Sequence, residues 1–220
     1  QAKFFNIKNL IISDHDSYKI LKKKLYNTNI RVFNDYSSLN KIIRKKLDYT
    51  MSAIGGLDGL NPTKQIIKHT KLIAIANKES IICGWNILKN ELKKNHTKFI
   101  PVDSEHFSLW FALDGLNTEK VKKIYLTASG GPLIDYPIKK FKNIKINKAL
   151  KHPNWKMGKK ISIDSATMMN KVFEVIEARN LFEIDYKKLS ILIHPKSYIH
   201  AIILYNSGLI KLIAHDTDMK

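Results

Sequence analysis

Over the first hundred residues, apolar runs of strand length alternate with longer stretches of helical spacing. This rhythm restricts the fold more than any other feature of the chain. Leu10-Ile11-Ile12-Ser13 reads as a strand, and Asp16 to Tyr26 places Ile20, Leu21 and Leu25 at helical intervals. Ile30-Arg31-Val32-Phe33 is a second strand, followed by a helix through Leu39, Ile42, Ile43 and Leu47. Tyr49 to Ile54 is a third strand, ending in Gly55-Gly56-Leu57-Asp58-Gly59; a helix from Pro62 to His69, the strand Lys71 to Ala76 and a helix from Ser80 to Lys94 complete the series. Strands regularly separated by helices form parallel sheets with crossover helices, and such sheets bind ligands at the carboxyl ends of their strands. The segments after Ile54 and Ala76 are therefore the first places to look for a site.

The rhythm changes after Ile100. Asp103 to Leu113 has helical spacing, and Ile124-Tyr125-Leu126-Thr127 is a strand that stops at Ser129-Gly130-Gly131-Pro132. A long polar stretch containing His152-Pro153-Asn154-Trp155 runs to Lys160, and Ser165 to Phe182 reads as one helix. Leu189 to Ile193, Tyr198 to Tyr205 and Leu209 to Ala214 read as strands, the last two joined by Asn206-Ser207-Gly208. This order is α+β. It predicts a second domain over 99–220, after an α/β parallel-sheet domain over 1–98. A chain of 220 residues has room for one large domain or two small ones.

Several classes of protein are disfavoured. No apolar run approaches the roughly 20 residues of a membrane span. The start, Gln1-Ala2-Lys3-Phe4-Phe5, lacks the apolar run and cleavage site of a signal peptide. Cys83 is the single cysteine, so no internal disulfide forms; a reducing, cytoplasmic setting is expected, with Cys83 as a small buried hydrophobe. The net charge of +19 raises the question of nucleic acid. The basic residues, however, are almost all lysines spread along the chain beside abundant Ile and Asn, all encoded by A/T-rich codons. No RNA-binding aromatic signature or zinc-finger spacing appears. Neither a nucleic-acid nor a membrane partner is expected; a positive field would instead help draw in phosphorylated ligands.

Four segments can carry chemistry, each with a plainer alternative. Asp103-Ser104-Glu105 offers two carboxylates to a hard cation such as Mg²⁺ or Mn²⁺, or simply caps a helix. Asn170 and Glu174 share a helix face, with Lys171 adjacent, as a site or as a surface stripe. Ser129-Gly130-Gly131 can present N–H groups and a hydroxyl to a phosphate, or make a tight turn. In Asn77-Lys78-Glu79-Ser80, a lysine at a strand end can meet a phosphate or carbonyl, while Asn77 or Ser80 can cap the helix. The dinucleotide fingerprint G-x-G-x-x-G fails, because it needs glycine where Ile54 stands; Gly55 to Gly59 reads as a structural turn.

The order and wording of the motifs are more specific than any one of them. Ala76-Asn77-Lys78-Glu79-Ser80, Pro101-Val102-Asp103-Ser104-Glu105-His106, Ser129-Gly130-Gly131-Pro132, His152-Pro153-Asn154-Trp155-Lys156-Met157-Gly158, the run Lys160 to Lys171, and His194-Pro195-Lys196-Ser197-Tyr198-Ile199-His200 together resemble the 1-deoxy-D-xylulose 5-phosphate reductoisomerases. The resemblance implies a partial Rossmann-like NADPH domain over 1–98 and a catalytic α+β domain over 99–220. It implies Asp103, Glu105 and Glu174 as ligands of Mg²⁺ or Mn²⁺, and Lys78 and Glu105 as catalytic. Lys78, Ser104, Glu105 and Glu174 would meet the reacting end of a small phosphorylated sugar. Ser129, His152, Ser165, Asn170 and Lys171 would bind its phosphate end. Asn77, Glu79 and Gly158 would face NADPH, Trp155 and Met157 would lie on a closing loop, and two chains would pair through the second domain.

The chain also departs from the family pattern. Val172-Phe173 stand where Gly-Leu is usual, Phe107-Ser108-Leu109-Trp110 follow His106, and no Pro precedes Asp218-Met219. Family members begin with a strand and a Gly-Ser-Thr-Gly-Ser-Ile-Gly loop, and end in a helical domain. The expectation is a chain incomplete at both ends, with a damaged cofactor site; the alternative reading is an inactive fragment or remnant of the enzyme.

Overall fold

A computed structural model describes residues 1–113, 118–151 and 158–216. The chain begins with a parallel pair, β1 (Asn9–Ile11) and β2 (Arg31–Phe33), joined by α1 (His15–Lys24). Asp14 caps α1 by accepting from the Ser17 N–H at 2.8 Å, and three lysines fill its last turn, so each helix end meets its complementary charge. After β2, α2 (Leu39–Ile42) is a single turn. The helix expected to run on to Leu47 stops at Ile43, whose backbone is extended. Continuing it would place Arg44, Lys45 and Lys46 on one coil, and Leu47 is instead drawn into a parallel bridge with Thr70.

The second sheet is all parallel, in the order β3 (Thr50–Ser52), β4 (Leu72–Ile75), β5 (Lys98–Pro101). Its crossovers are α3 (Leu60–Ile67) and α4 (Lys78–Lys94). Ile67, Ile73, Ile75, Ile81 and Leu88 form its core, with Trp85 and Phe99 packed against it. Gly84 allows α4 to approach α3, since a Cβ there would stand 2.4 Å from Leu60 Cδ1. Cys83, beside it, is exposed rather than buried as expected, because its side of α4 turns away from this core. β5 starts at Lys98 and completes this second sheet, so residues 98–101 pack with the α/β unit.

The remaining elements are α5 (Ser104–Ala112), β6 (Val121–Ala128), α6 (Ile146–Ala149), α7 (Lys159–Ala166), α8 (Met169–Phe182), β7 (Leu189–Ile193), β8 (Ile199–Tyr205) and β9 (Ile210–Ala214). They build a mixed sheet, β7-β6-β8-β9, with β6 parallel to β7 and antiparallel to β8. Leu109 and Ala178 pack on Ile124, Leu126 and Ile203, so α5 and α8 cover one face of this sheet. The single helix expected over 165–182 is two helices. Thr167 Oγ1 donates back to the Ile163 carbonyl at 2.9 Å, and Met168 is left-handed at φ 60°, so the chain turns a corner between α7 and α8. The two halves join where α8 crosses α4: Asn180 Nδ2 donates to the Ile81 carbonyl at 3.2 Å, and Leu181 reaches the first core. No helix among the described residues is long and apolar enough to cross a membrane.

Candidate functional site

Three carboxylates converge where the two halves meet. Asp103 follows β5, Glu105 lies in the first turn of α5, and Glu174 lies on α8; their oxygens fall within 4.8 Å of one another. Asp103 stands at the capping position of α5 yet makes no capping bond, so the helix-cap alternative does not hold. Its carboxylate instead meets Lys78 Nζ at 2.9 Å and His106 Nδ1 at 3.3 Å. Glu174 is 1% exposed, which also removes the surface-stripe alternative.

Two ammonium groups and an amide are threaded among these acids. Lys78 Nζ donates to Asn170 Oδ1 at 2.7 Å and lies 3.8 Å from Glu174. Lys171 Nζ bridges Glu105 and Glu174, and Asn170 Nδ2 donates to the same Glu174 carboxylate, the i,i+4 pairing their spacing predicts. Ser104 Oγ donates to Glu105 at 2.6 Å and, its proton being used, accepts from His200 Nδ1 at 2.7 Å.

The charges are strongly coupled. Burial alone would raise the Asp103 carboxyl, but the Lys78 ammonium, with His106 and Lys171, holds it well below the usual range. Burial opposes ionisation of Glu105 as well, but Lys171 and His200 together hold its carboxyl below the ordinary value. Glu174 is pushed up to about 8, first by burial and then by repulsion from Glu105. Burial works against the two ammonium groups, but Asp103 and Glu174 around Lys78, and Glu105 and Glu174 around Lys171, raise both above the ordinary lysine value. Three acids that hold a proton between them despite two lysines lack positive charge. The donor set is all oxygen, the chemistry of Mg²⁺ and Mn²⁺, and a divalent cation fits it.

These groups line one wall of a cavity of about 250 Å³, whose other walls include Ser129, Gly130, Gly131, Ser165 and Ser197. Gly130 and Gly131 both have positive φ, and a Cβ on Gly131 would stand 2.8 Å from the Ser165 carbonyl oxygen. The glycine turn therefore brings the end of β6 against the end of α7.

Of the residues singled out from the sequence, Lys78, Asp103, Ser104, Glu105, Ser129, Ser165, Asn170, Lys171 and Glu174 line this one cavity. Asn77, Glu79 and Gly158 do not. Asn77 is buried: it caps α4 by accepting from Ser80 N–H and donates to the Gly56 carbonyl at 2.7 Å. Glu79 pairs with Lys160 at 3.0 Å, and Gly158 is exposed at the start of α7. His152, Trp155, Met157 and the Asp218-Met219 pair lie outside the described residues. Sequence reasoning gave no role to His200, His106 or Glu177. His106 and His200 lay inside quoted motifs, but only the folded chain turns their rings to the carboxylates.

Two family models match the chain: 1-deoxy-D-xylulose 5-phosphate reductoisomerase over residues 1–84, and the C-terminal domain of the same enzyme over residues 99–182. A 1-deoxy-D-xylulose 5-phosphate reductoisomerase of Pelagibacter ubique is 61% identical over 100% of the chain and 57% of its own length; one from Wolbachia pipientis is 44% identical over 100% and 56%. Among solved structures, the Zymomonas mobilis enzyme in complex with NADPH aligns with a TM-score of 0.85 at 36% identity, covering 99% of this chain and 56% of that one. A reductoisomerase in complex with NADPH, fosmidomycin and magnesium aligns at 0.87 and 34%, covering 98% and 56%. The chain thus spans a little over half the length of the relatives it matches.

Proposed function

Since the chain belongs to the 1-deoxy-D-xylulose 5-phosphate reductoisomerase family, we propose that its cavity serves the family reaction: metal-assisted rearrangement of 1-deoxy-D-xylulose 5-phosphate and NADPH-dependent reduction to 2-C-methyl-D-erythritol 4-phosphate. The observation that carries this reading is the convergence of Asp103, Glu105 and Glu174 around one point, beside Lys78.

Asp103, Glu105 and Glu174 would hold Mg²⁺ or Mn²⁺, which when bound supplies Lewis acidity to the ketone and neighbouring hydroxyl of the substrate. Lys78, held by Asp103 and Asn170, aims a buried ammonium at the same region and would stabilise negative charge developing on a substrate oxygen. Ser104 would meet the same end of the substrate, its hydroxyl direction set by His200 and Glu105. Ser129 and Ser165, joined by the glycine turn, would take the phosphate with Asn170, Lys171 and His152. Closure by the segment carrying Trp155 and Met157 would keep water away from the reacting atoms.

For the nucleotide, the loop after β3 offers open space beside Gly55 and Gly56, where no other described residue comes within 4 Å of where a Cβ would stand. This is the carboxyl edge of a parallel sheet, where such ligands bind, and NADPH when bound there supplies the hydride. Asn77 would shape that loop through its bond to Gly56, and Glu79 and Gly158 would face the nucleotide. Pairing of two chains is carried over as well; β9 has no strand partner other than β8 among the described residues and exposes Ile210 and Leu212. The exposed thiol of Cys83 suits the reducing, cytoplasmic setting we assign.

The test is Mn²⁺ binding followed by electron paramagnetic resonance in the chain and in Glu174→Gln, with circular dichroism to check folding. Binding that collapses in the variant supports the reading; no binding by the folded chain sinks it.

A further inference from the structure

We propose that His106 is a positioning residue for the carboxylate site, gripping Asp103 and the backbone of Glu174 from behind, with Glu177 anchoring its ring. This rests on the metal reading of Asp103, Glu105 and Glu174. His106 is wholly buried and Glu177 is 1% exposed, yet neither lines the cavity. Each lies three residues beyond a ligand, one turn deeper: His106 on α5 after Asp103 at that helix's start, and Glu177 after Glu174 on α8.

The ring's orientation follows from hydrogen-bond roles. His106 Nε2 lies 2.9 Å from the Glu174 carbonyl oxygen, which can only accept, so Nε2 carries a proton and donates. Nδ1 faces Asp103 Oδ1 at 3.3 Å and Glu177 Oε2 at 3.5 Å, ion-pair distances without hydrogen-bond geometry, so the attraction is that of a ring protonated on both nitrogens. Asp103 thus has a cationic side chain on either side, Lys78 at Oδ2 and the His106 ring at Oδ1. The Phe182 ring lies 6.5 Å away and nearly parallel, flanking the imidazole. Among the described residues, Glu177 has no other ion-pair partner within 4.0 Å. One imidazole therefore couples the start of α5 to the middle of α8, the two elements whose spacing sets the distance between ligands. An ordinary core histidine would need only neutral partners; this one contacts two of the three ligands and a third acid that no ligand role explains.

Ring-to-carboxylate supports behind a metal ligand commonly carry a ten- to hundredfold effect on affinity. The experiment measures Mn²⁺ dissociation constants by electron paramagnetic resonance for the chain, His106→Leu, His106→Asn and Glu177→Gln, each checked by circular dichroism. His106→Leu keeps apolar volume and should weaken Mn²⁺ at least about tenfold. His106→Asn, whose amide can replace the Nδ1 contact, should recover most of that loss, a rescue that a space-filling role would not produce. A folded His106→Leu that binds like the parent chain overturns the proposal, as does failure of Asn to outperform Leu. If His106→Leu does not fold, Glu177→Gln decides: weaker Mn²⁺ binding supports the anchor, and unchanged binding overturns it. Absence of binding in the parent chain would bring down the metal reading as well, which separates that failure from this one.

Discussion

Lys78, in the first turn of α4, holds its ammonium 2.9 Å from the carboxylate of Asp103, at the end of the adjacent strand β5. The Lys78 side chain is only 11% exposed, so the contact is a buried ion pair that ties the α/β unit to the site. Removing one partner of such a pair leaves an uncompensated buried charge, a loss of about 3 kcal/mol or more. Lys78→Met should therefore unfold at lower urea. Mn²⁺ should recover more stability in the variant than in the parent chain, because a divalent cation replaces the missing charge. Equal Mn²⁺ stabilisation of both would show that Lys78 and the metal do not share these acids.

The proposed metal site should titrate. The Glu174 carboxyl is raised from its ordinary 4.5 to about 8, so the folded, metal-free chain holds that proton more tightly than the unfolded chain. Its stabilising contribution is complete below about pH 4.5 and is lost as pH rises through about 8. Metal binding runs the other way, since the ligand must lose its proton. Mn²⁺ affinity should climb with pH and level off above about 8. Binding measured by electron paramagnetic resonance across pH 6 to 9, roughly the range over which that proton leaves, decides the matter.

Lys171 bridges Glu105 and Glu174, two of the groups a divalent cation needs. A cation entering the site must displace it. Lys171→Met should bind Mn²⁺ more tightly, by severalfold above pH 8, while losing affinity for the phosphorylated substrate. Isothermal titration with each ligand separates the two effects. Weaker Mn²⁺ binding in the variant would mean that the ammonium supports the ionised ligands more than it competes with the metal.

Gly131 combines positive φ with a 2.8 Å approach to the Ser165 carbonyl oxygen. Gly131→Ala should destabilise the chain by about 2 kcal/mol, from backbone strain and from pushing α7 away. Gly158→Ala makes a fitting control: φ is −60° and, among the described residues, nothing lies within 4 Å of where a Cβ would stand, so stability should stay level or rise slightly. Urea denaturation of both variants reads the difference.

Much of this protein follows from local sequence. Alternating apolar runs dictated the parallel strands of the first half, because period and length separate strand from helix before any long-range contact exists. The i,i+4 spacing put Asn170 beside Glu174, and the succession of motifs identified the family. Where local rules failed, a tertiary contact had won. The helix through Leu47 yielded to a parallel bridge with Thr70, and the helix over 165–182 broke at Met168 so that Ser165 and Glu174 could face one cavity. Tertiary structure alone chose between the two readings of Asp103-Ser104-Glu105: an acid at a helix start can cap or coordinate, and the arrival of Lys78, His106 and Glu174 from distant segments turns it from the helix to the site. It alone raised Glu174 and enlisted His106 and Glu177, because burial and the sum of neighbouring charges are properties of the packed chain and not of any window along it.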